Sequence, residues 1–524
     1  MPYPSSCPPA LLSPMALWLA LMLHLSLSSQ AGDRRTFPVG KSQGVKEKTL
    51  ILLDVSTKSP VRTVNENFLS LQLDPSIIHD GWLDFLSSKR LVTLARGLSP
   101  AFLRFGGKRT DFLQFQNLRN PAKSRGGPGP DYYLKNYEDD IVRSDVALDK
   151  QKGCKIAQHP DVMLELQREK AAQMHLVLLK EQFSNTYSNL ILTEPNNYRT
   201  MNGRAVNGSQ LGKDYIQLKS LLQPIRTYSR ASLYGPNIGR PRKNVIALLD
   251  GFMKVAGSTV DAVTWQHYYI DGRVVKVMDF LKTRLLDTLS DQIRKIQKVV
   301  NTYTPGKKIW LEGVVTTSAG GTNNLSDSYA AGFLWLNTLG MLANQGIDVV
   351  IRHSFFDHGY NHLVDQNFNP LPDYWLSLLY KRLIGPKVLA VHVAGLQRKP
   401  RPGRVIRDKL RIYAHCTSHH NHNYVRGSIT LYIINLHRSR KKIKLAGTLR
   451  DKIVHQYLLQ PYGQDGLQSK SVQLNGQPLM MVDDGTLPDL KPRPLRAGRT
   501  LVIPPVTMGF YVVKNVNALA CRYR

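Results

Sequence analysis

Two glutamates carry what chemistry this chain offers. Glu194 stands in Glu194-Pro195-Asn196-Asn197-Tyr198, and Glu312 in Ile309-Trp310-Leu311-Glu312-Gly313. A glycosidic bond yields to two carboxyl groups facing each other across it, one as acid/base and one as nucleophile. A mechanism that retains configuration holds them about 5–5.5 Å apart. Glu-Pro-Asn on its own is a weak signal, so the pair matters only if the fold brings both to one cleft.

The surrounding pattern predicts such a fold. From about Asn65 to Leu379, short runs rich in β-branched and aromatic residues alternate with helical spacing. Phe68–Leu73, Phe102–Phe105, Ser232–Tyr234, Ala262–Tyr269, Ile309–Leu311 and Val349–Phe356 read as strands, and Val274–Tyr303 and Asp327–Asn344 as helices. Repeated strand-then-helix implies a parallel sheet and, over residues 48–386, a (β/α) barrel of the TIM type. Polar residues follow these strands, where a barrel places its site: Arg104 with Gly106-Gly107, Gln266-His267-Tyr268, Glu312, and Arg352-His353. Six strands stand where a closed barrel needs eight, so the barrel is incomplete by two units. The gap lies between Phe105 and Ser232; residues 120–160 read as an exposed Pro- and Gly-rich insert, and Met163–Leu179 as a helix.

After Pro386 the pattern becomes strands and turns without a helix, which predicts an antiparallel β-sandwich over 387–524. Its strands are Val388–Val393, Leu410–His415, Ile429–Leu436, Ile443–Leu445, Val454–Leu459, Ser471–Leu474 and Thr500–Val513. Two basic runs decorate it, Arg398 through Arg411 and Arg438-Ser439-Arg440-Lys441-Lys442-Ile443-Lys444. A single such run is usually a solvated face. His415, His419, His420 and His422 form a His-rich stretch that reads as a polar loop and not a metal site, because no carboxylate or thiolate set completes it. No cofactor is called for.

Charge decides the class of partner. Seventy Lys and Arg against 38 Asp and Glu leave +32, which argues for a polyanion held by many salt-sensitive contacts. The N-terminus selects among polyanions. An apolar core from Met15 to about Leu27, followed by Ser29 and Ala31, reads as a cleaved signal peptide over residues 1–31, and is too short to span a bilayer. No later run is long and apolar enough to do so. Sequons at Asn207 and Asn324 agree with secretion. Outside the cell, sulfated glycosaminoglycan leads and nucleic acid drops away. Cys7 leaves with the signal; Cys416 and Cys521 could close the C-terminal region as one bridge, and Cys154 has no obvious mate.

Longer stretches point to a family. Leu103-Arg104-Phe105-Gly106-Gly107-Lys108-Arg109-Thr110-Asp111-Phe112-Leu113, Val263 through Tyr269, Leu371 through Leu379 and Ser469 through Gly476 all resemble heparanase, most closely a non-cleaving branch of that family. The resemblance covers nearly the whole mature chain. It implies a (β/α)8 barrel with a C-terminal β-sandwich, heparan sulfate as ligand, and pairing of Cys416 with Cys521.

Three departures from the active pattern bear on function. The active family resembles Trp-Leu-Gly-Glu-Thr where this chain has Trp310-Leu311-Glu312-Gly313-Val314, so the nucleophile position is Gly313 and the carboxylate stands one residue early. Neighbouring side chains on a strand point to opposite faces, so the shift predicts that Glu312 turns away from the site unless a bulge restores it. In the family the Asn-Glu-Pro-Asn motif also closes a strand. Here Glu194 follows Asn189-Leu190-Ile191-Leu192-Thr193, as if two strand–helix units had been removed, consistent with a splice form. The lost block would also hold the partner of Cys154. Around Lys180-Glu181-Gln182-Phe183 the family's processing junction is missing, which predicts a one-piece protein. Arg240-Pro241-Arg242-Lys243 survives from a family glycan-contact segment.

The expectation is a secreted binder of heparan sulfate, heparin and heparan sulfate proteoglycans that does not cut them. It would use Arg240, Arg242 and Lys243 in the barrel and Arg438, Arg440, Lys441, Lys442 and Lys444 in the sandwich, with Gln266 and Tyr268 lining the site. It would antagonise active heparanase by competing for chains or by binding it. The alternative is an active endo-β-glucuronidase, which needs Glu312 turned inward and a rebuilt strand before Glu194.

Overall fold

The computed structural model describes residues 50–73, 88–105, 195–197, 205–224, 229–356, 359–394 and 409–522. The expected signal segment, the expected insert near 120–160, the helix expected at Met163–Leu179, Cys154 and the first basic run up to Asp408 lie outside them.

Strands β1 (Ile51–Val55) and β2 (Arg62–Thr63) open the described chain. Six strands then form one parallel sheet: β3 (Leu69–Leu73), β4 (Leu103–Phe105), β5 (Tyr234–Ile238), β6 (Ala262–Ile270), β7 (Lys308–Thr317) and β8 (Val349–Arg352). Their order is β4-β3-β8-β7-β6-β5, that of a (β/α)8 barrel opened between its second and fifth strands. Among the described residues the fold is an incomplete TIM-type barrel, and the break falls where the sequence leaves its longest interval.

Helices cover the outside of this sheet for the usual amphipathic reason. They are α1 (Lys89–Gly97), α2 (Gly208–Leu222), α3 (Lys243–Ala256), α4 (Thr283–Tyr303), α5 (Ala331–Asn344) and α6 (Pro372–Leu383). In α4 the buried Leu286, Leu289, Ile293, Ile296 and Val300 recur at three- and four-residue steps. The helix expected from Val274 begins only at Thr283, because residues Val277–Leu281 form a 3-10 turn. Asn207 caps α2, its side-chain oxygen accepting from Ser209 N and Gln210 N, and both sequon asparagines, Asn207 and Asn324, are exposed.

The C-terminal strands are β9 (Ile384–Leu389), β10 (Val391–Ala394), β11 (Leu410–Thr417), β12 (Ile429–Asn435) and β13 (Lys441–Leu445). After them come β14 (Val454–Pro461), β15 (Val472–Leu474), β16 (Gln477–Pro478), β17 (Arg493–Leu495), β18 (Leu501–Ile503) and β19 (Thr507–Val513). They build two sheets. One runs β10-β1-β13-β18 and the other β16-β15-β14-β19-β12-β11-β9-β2, with β17 beside β14. Ile51, Leu53, Leu431, Ile433, Ile443 and Tyr511 fill a core that draws on both sheets.

Three details depart from the sequence reading. β1 and β2, inside the expected barrel range, pair with sandwich strands, and β9 begins before residue 387. The sandwich is not wholly antiparallel, since β1 runs parallel to β13. Val388–Val393 and Thr500–Val513 each divide between the two sheets; the second breaks at Pro504-Pro505, which offer no N–H to a ladder. Cys416 and Cys521 are joined, tying β11 to the C-terminal turn.

Candidate functional site

The site begins on β7. Trp310 and Glu312 stand two apart and share one face, as do Phe102 and Arg104 at the start of β4. Phe102 stacks on Trp310 with ring centroids 5.3 Å apart, and Trp310 stacks on Tyr234 at 4.3 Å. These rings, with Ala262, Val349 and Ile351, form a cluster of their own. Leu311, Val263 and Trp265, on the opposite face, belong to the main core with the helices. Glu312 therefore points into the curve of the sheet, and not away from it as the one-residue shift predicts.

Pointing inward does not make Glu312 available. It is 1% exposed, and its Oε2 lies 3.5 Å from Arg104 Nε. Arg104 Nη1 in turn donates to Gln72 Oε1 at 2.7 Å. Burial pushes the Glu312 carboxyl above the usual carboxylate range, and the Arg104 charge opposes that rise. A nucleophile must reach a sugar carbon, and a carboxylate sealed beneath the strand ends against an arginine does not.

A bulge is present, but one residue later. β7 pairs Glu312 with Ile351 and then Val314 with Arg352, so Gly313 is the extra residue. Its φ of +73° lies in the left-handed region that costs an L-residue about 1–2 kcal/mol. A Cβ at Gly313 would sit 3.3 Å from Gln266 Cδ, so Gln266 occupies the space beside the position where the resemblance puts the nucleophile.

Around this point the structure gathers several predicted residues. Arg240, just beyond β5, lies over the Tyr268 ring at 5.6 Å. Arg242 and Lys243 are exposed at the start of α3, whose N-terminus has no side-chain cap. His267 between Gln266 and Tyr268 faces the other way: it is buried, its Nδ1 is 2.9 Å from Gln292 Oε1, and burial, with Arg240 adding, lowers its pKa to about 3. Glu194 lies outside the described residues. The Pro195–Asn197 turn that follows it is docked at the end of β5, where Asn196 Oδ1 accepts from Gly239 N at 2.8 Å.

Other predicted residues go elsewhere. Arg352 is buried in a structural pair with Asp373, 2.9 Å away, and packs over Trp335. Arg438 and Arg440 are exposed in the turn before β13; Lys442 and Lys444 are exposed on β13, with Lys441 half-buried. The run from Arg438 to Lys444 thus sits on the sandwich, and Arg240, Arg242 and Lys243 sit on the barrel. The pairing of Arg104 with Glu312, and of Gln72 with Arg104, was missed. The readable signal was that Arg104 stands two residues from Phe102 in a short strand, which forces it inward.

This geometry can be set beside known proteins. No family model matches the chain. It is 85% identical to "Inactive heparanase-2" of Homo sapiens, over all of this chain and 98% of that protein. It is 40% identical to "Heparanase" of Mus musculus, over 90% of this chain and 94% of that one. The chain belongs to the heparanase family. Alignment with the human relative spans 582 positions against 524 residues here, so at least 58 positions face a gap, about two strand–helix units. Among solved structures, a 4-O-α-L-rhamnosyl-β-D-glucuronidase from Fusarium oxysporum is 12% identical with TM-score 0.56, covering 88% of this chain and all of that one. A GH51 α-L-arabinofuranosidase from Thermotoga petrophila is 11% identical, also with TM-score 0.56, covering 89% of this chain and all of its own. Both show the glycoside-hydrolase fold that heparanase-family members share with them.

Proposed function

We propose that this chain is a secreted heparan sulfate-binding member of the heparanase family that does not cleave its ligand. One observation carries the reading: at the catalytic strand, the carboxylate is buried against Arg104 and the nucleophile position is a glycine. The names of the human and mouse relatives, each "Inactive heparanase-2" at 85% and 84% identity, support the loss of activity.

Binding rests on different groups and survives the loss of chemistry. Arg240, Arg242 and Lys243 meet the uncapped N-terminus of α3, where free backbone N–H groups add to the attraction for an anion. Arg438, Arg440, Lys442 and Lys444 offer a second cationic strip, and the net charge of +32 draws polyanions from a distance. A chain of this kind antagonises active heparanase by occupying its substrate or by binding the enzyme, and it is held at the cell surface and in the matrix by heparan sulfate.

The test is size-exclusion of end-labelled heparan sulfate after incubation with the purified secreted chain. Label of unchanged length that co-elutes with protein and is released by salt is the expected result. A shift of label to smaller size, abolished by Glu312→Gln, would establish an active endo-β-glucuronidase instead.

A further inference from the structure

In the sequence the histidine-rich turn after β11 has no carboxylate near it. The fold supplies one from the far end of the chain. Glu66, between β2 and β3, meets His419 and His420 so that one ligand atom from each lies within 4.8 Å of the others. The two imidazoles have ring centroids 3.9 Å apart.

Both loops are held in place by hydrogen bonds that do not involve the three side chains. On one side Val64 N donates to Pro386 O at 2.9 Å and Phe68 N to Asn65 O at 2.9 Å. On the other, Ser418 N donates to Leu383 O at 3.1 Å, and Asn421 Nδ2 to Arg382 O at 3.0 Å. Glu66 and His420 are exposed and His419 is half-buried, so an ion can enter from solvent.

We propose that Glu66, His419 and His420 form a zinc site that clips the loop before β3 to the loop after β11. Two imidazoles and a carboxylate are a donor set that zinc favours, with water in the fourth position. Zinc bonds of about 2.0–2.1 Å hold tetrahedral donors roughly 3.3 Å apart, so the side chains close by at most about 1.5 Å on binding. Exposed rotamers allow that movement. The clip would begin three residues after Cys416 of the Cys416–Cys521 bridge and add a second tie between distant parts of the chain. Glu66 also acts on the half-buried Lys381, whose Nζ donates to Pro100 O. If Glu66 serves Lys381 alone, no zinc binds there.

The experiment uses the full secreted chain without an affinity tag, dialysed against zinc chloride and assayed for bound metal, with cobalt(II) absorption as a second readout. One zinc per chain is expected, with a rise in melting temperature. Glu66→Gln and His420→Ala each alter an exposed residue, so the fold is retained. Each should weaken zinc binding by more than about 100-fold, the upper end of what even an outer-shell partner contributes. His422→Ala, on the same loop but outside the cluster, should keep it. A wild-type chain that binds no zinc, or variants that bind it as before, would overturn the proposal.

Discussion

A carboxylate one residue out of place changes its work from chemistry to structure. Glu312 and Arg104 are both almost wholly buried, and removing one charge from such a pair strands the other. Glu312→Gln is therefore expected to destabilise the chain, by on the order of 3 kcal/mol in urea unfolding, while leaving retention on heparin unchanged. An unchanged midpoint would mean that the pair does not hold the sheet together. Two buried histidines make a second residue-scale prediction. Burial lowers His267 to about 3 and His415 to about 4, the latter set between Gly385 O and the Tyr432 hydroxyl. An unfolded histidine titrates near 6.5, so between these values the unfolded chain holds more protons than the folded one. Stability is full above about pH 6.5 and falls as the pH drops toward about 4, by up to about 1.4 kcal/mol per histidine per pH unit. His267→Asn and His415→Asn should each flatten that slope, whatever they cost at neutral pH; a slope that neither variant moves would assign it to other groups.

Among elements, the open parallel sheet invites a measurement. Within the described residues β4 pairs only with β3 and β5 only with β6, whereas β7 is bonded on both sides. Edge amides exchange faster because nothing covers their outer N–H groups. Hydrogen exchange across Leu103–Phe105 and Tyr234–Ile238 should thus outpace that of Lys308–Thr317. Equal protection would show the edges covered, as a rebuilt barrel requires. Five of the six strands were legible, since β-branched and aromatic runs bounded by turns mark them; β5 shares only Tyr234 with the expected Ser232–Tyr234, because Gly235-Pro236-Asn237 reads as a turn. Their partners beyond the barrel were not. Nothing in Ile51-Leu52-Leu53-Asp54-Val55 says that it lies between β10 and β13, because pairing between strands hundreds of residues apart leaves no local trace.

For the molecule as a whole, the excess of positive charge outweighs any one contact. If binding is gripped through 6–10 ion contacts, as for proteins on duplex DNA, affinity falls by roughly 10³–10⁵ between about 50 and 200 mM salt. Heparin affinity measured across that range should fall steeply, and the combined Lys442→Glu and Lys444→Glu variant should show a shallower fall. Retention indifferent to salt would refute the polyanion reading.

Composition, strand periodicity and the run of family motifs by themselves determined the class of fold, the incomplete barrel and the polyanion as candidate partner. These properties are local or additive, and a chain states them residue by residue. Only the tertiary structure decided that Glu312 faces inward yet is sealed by Arg104, that Gln266 fills the space beside Gly313, and that Glu66 reaches His419 and His420. Each depends on side chains brought together from strands and loops far apart in sequence, and on which face a bulge leaves them; no spacing along the chain encodes either.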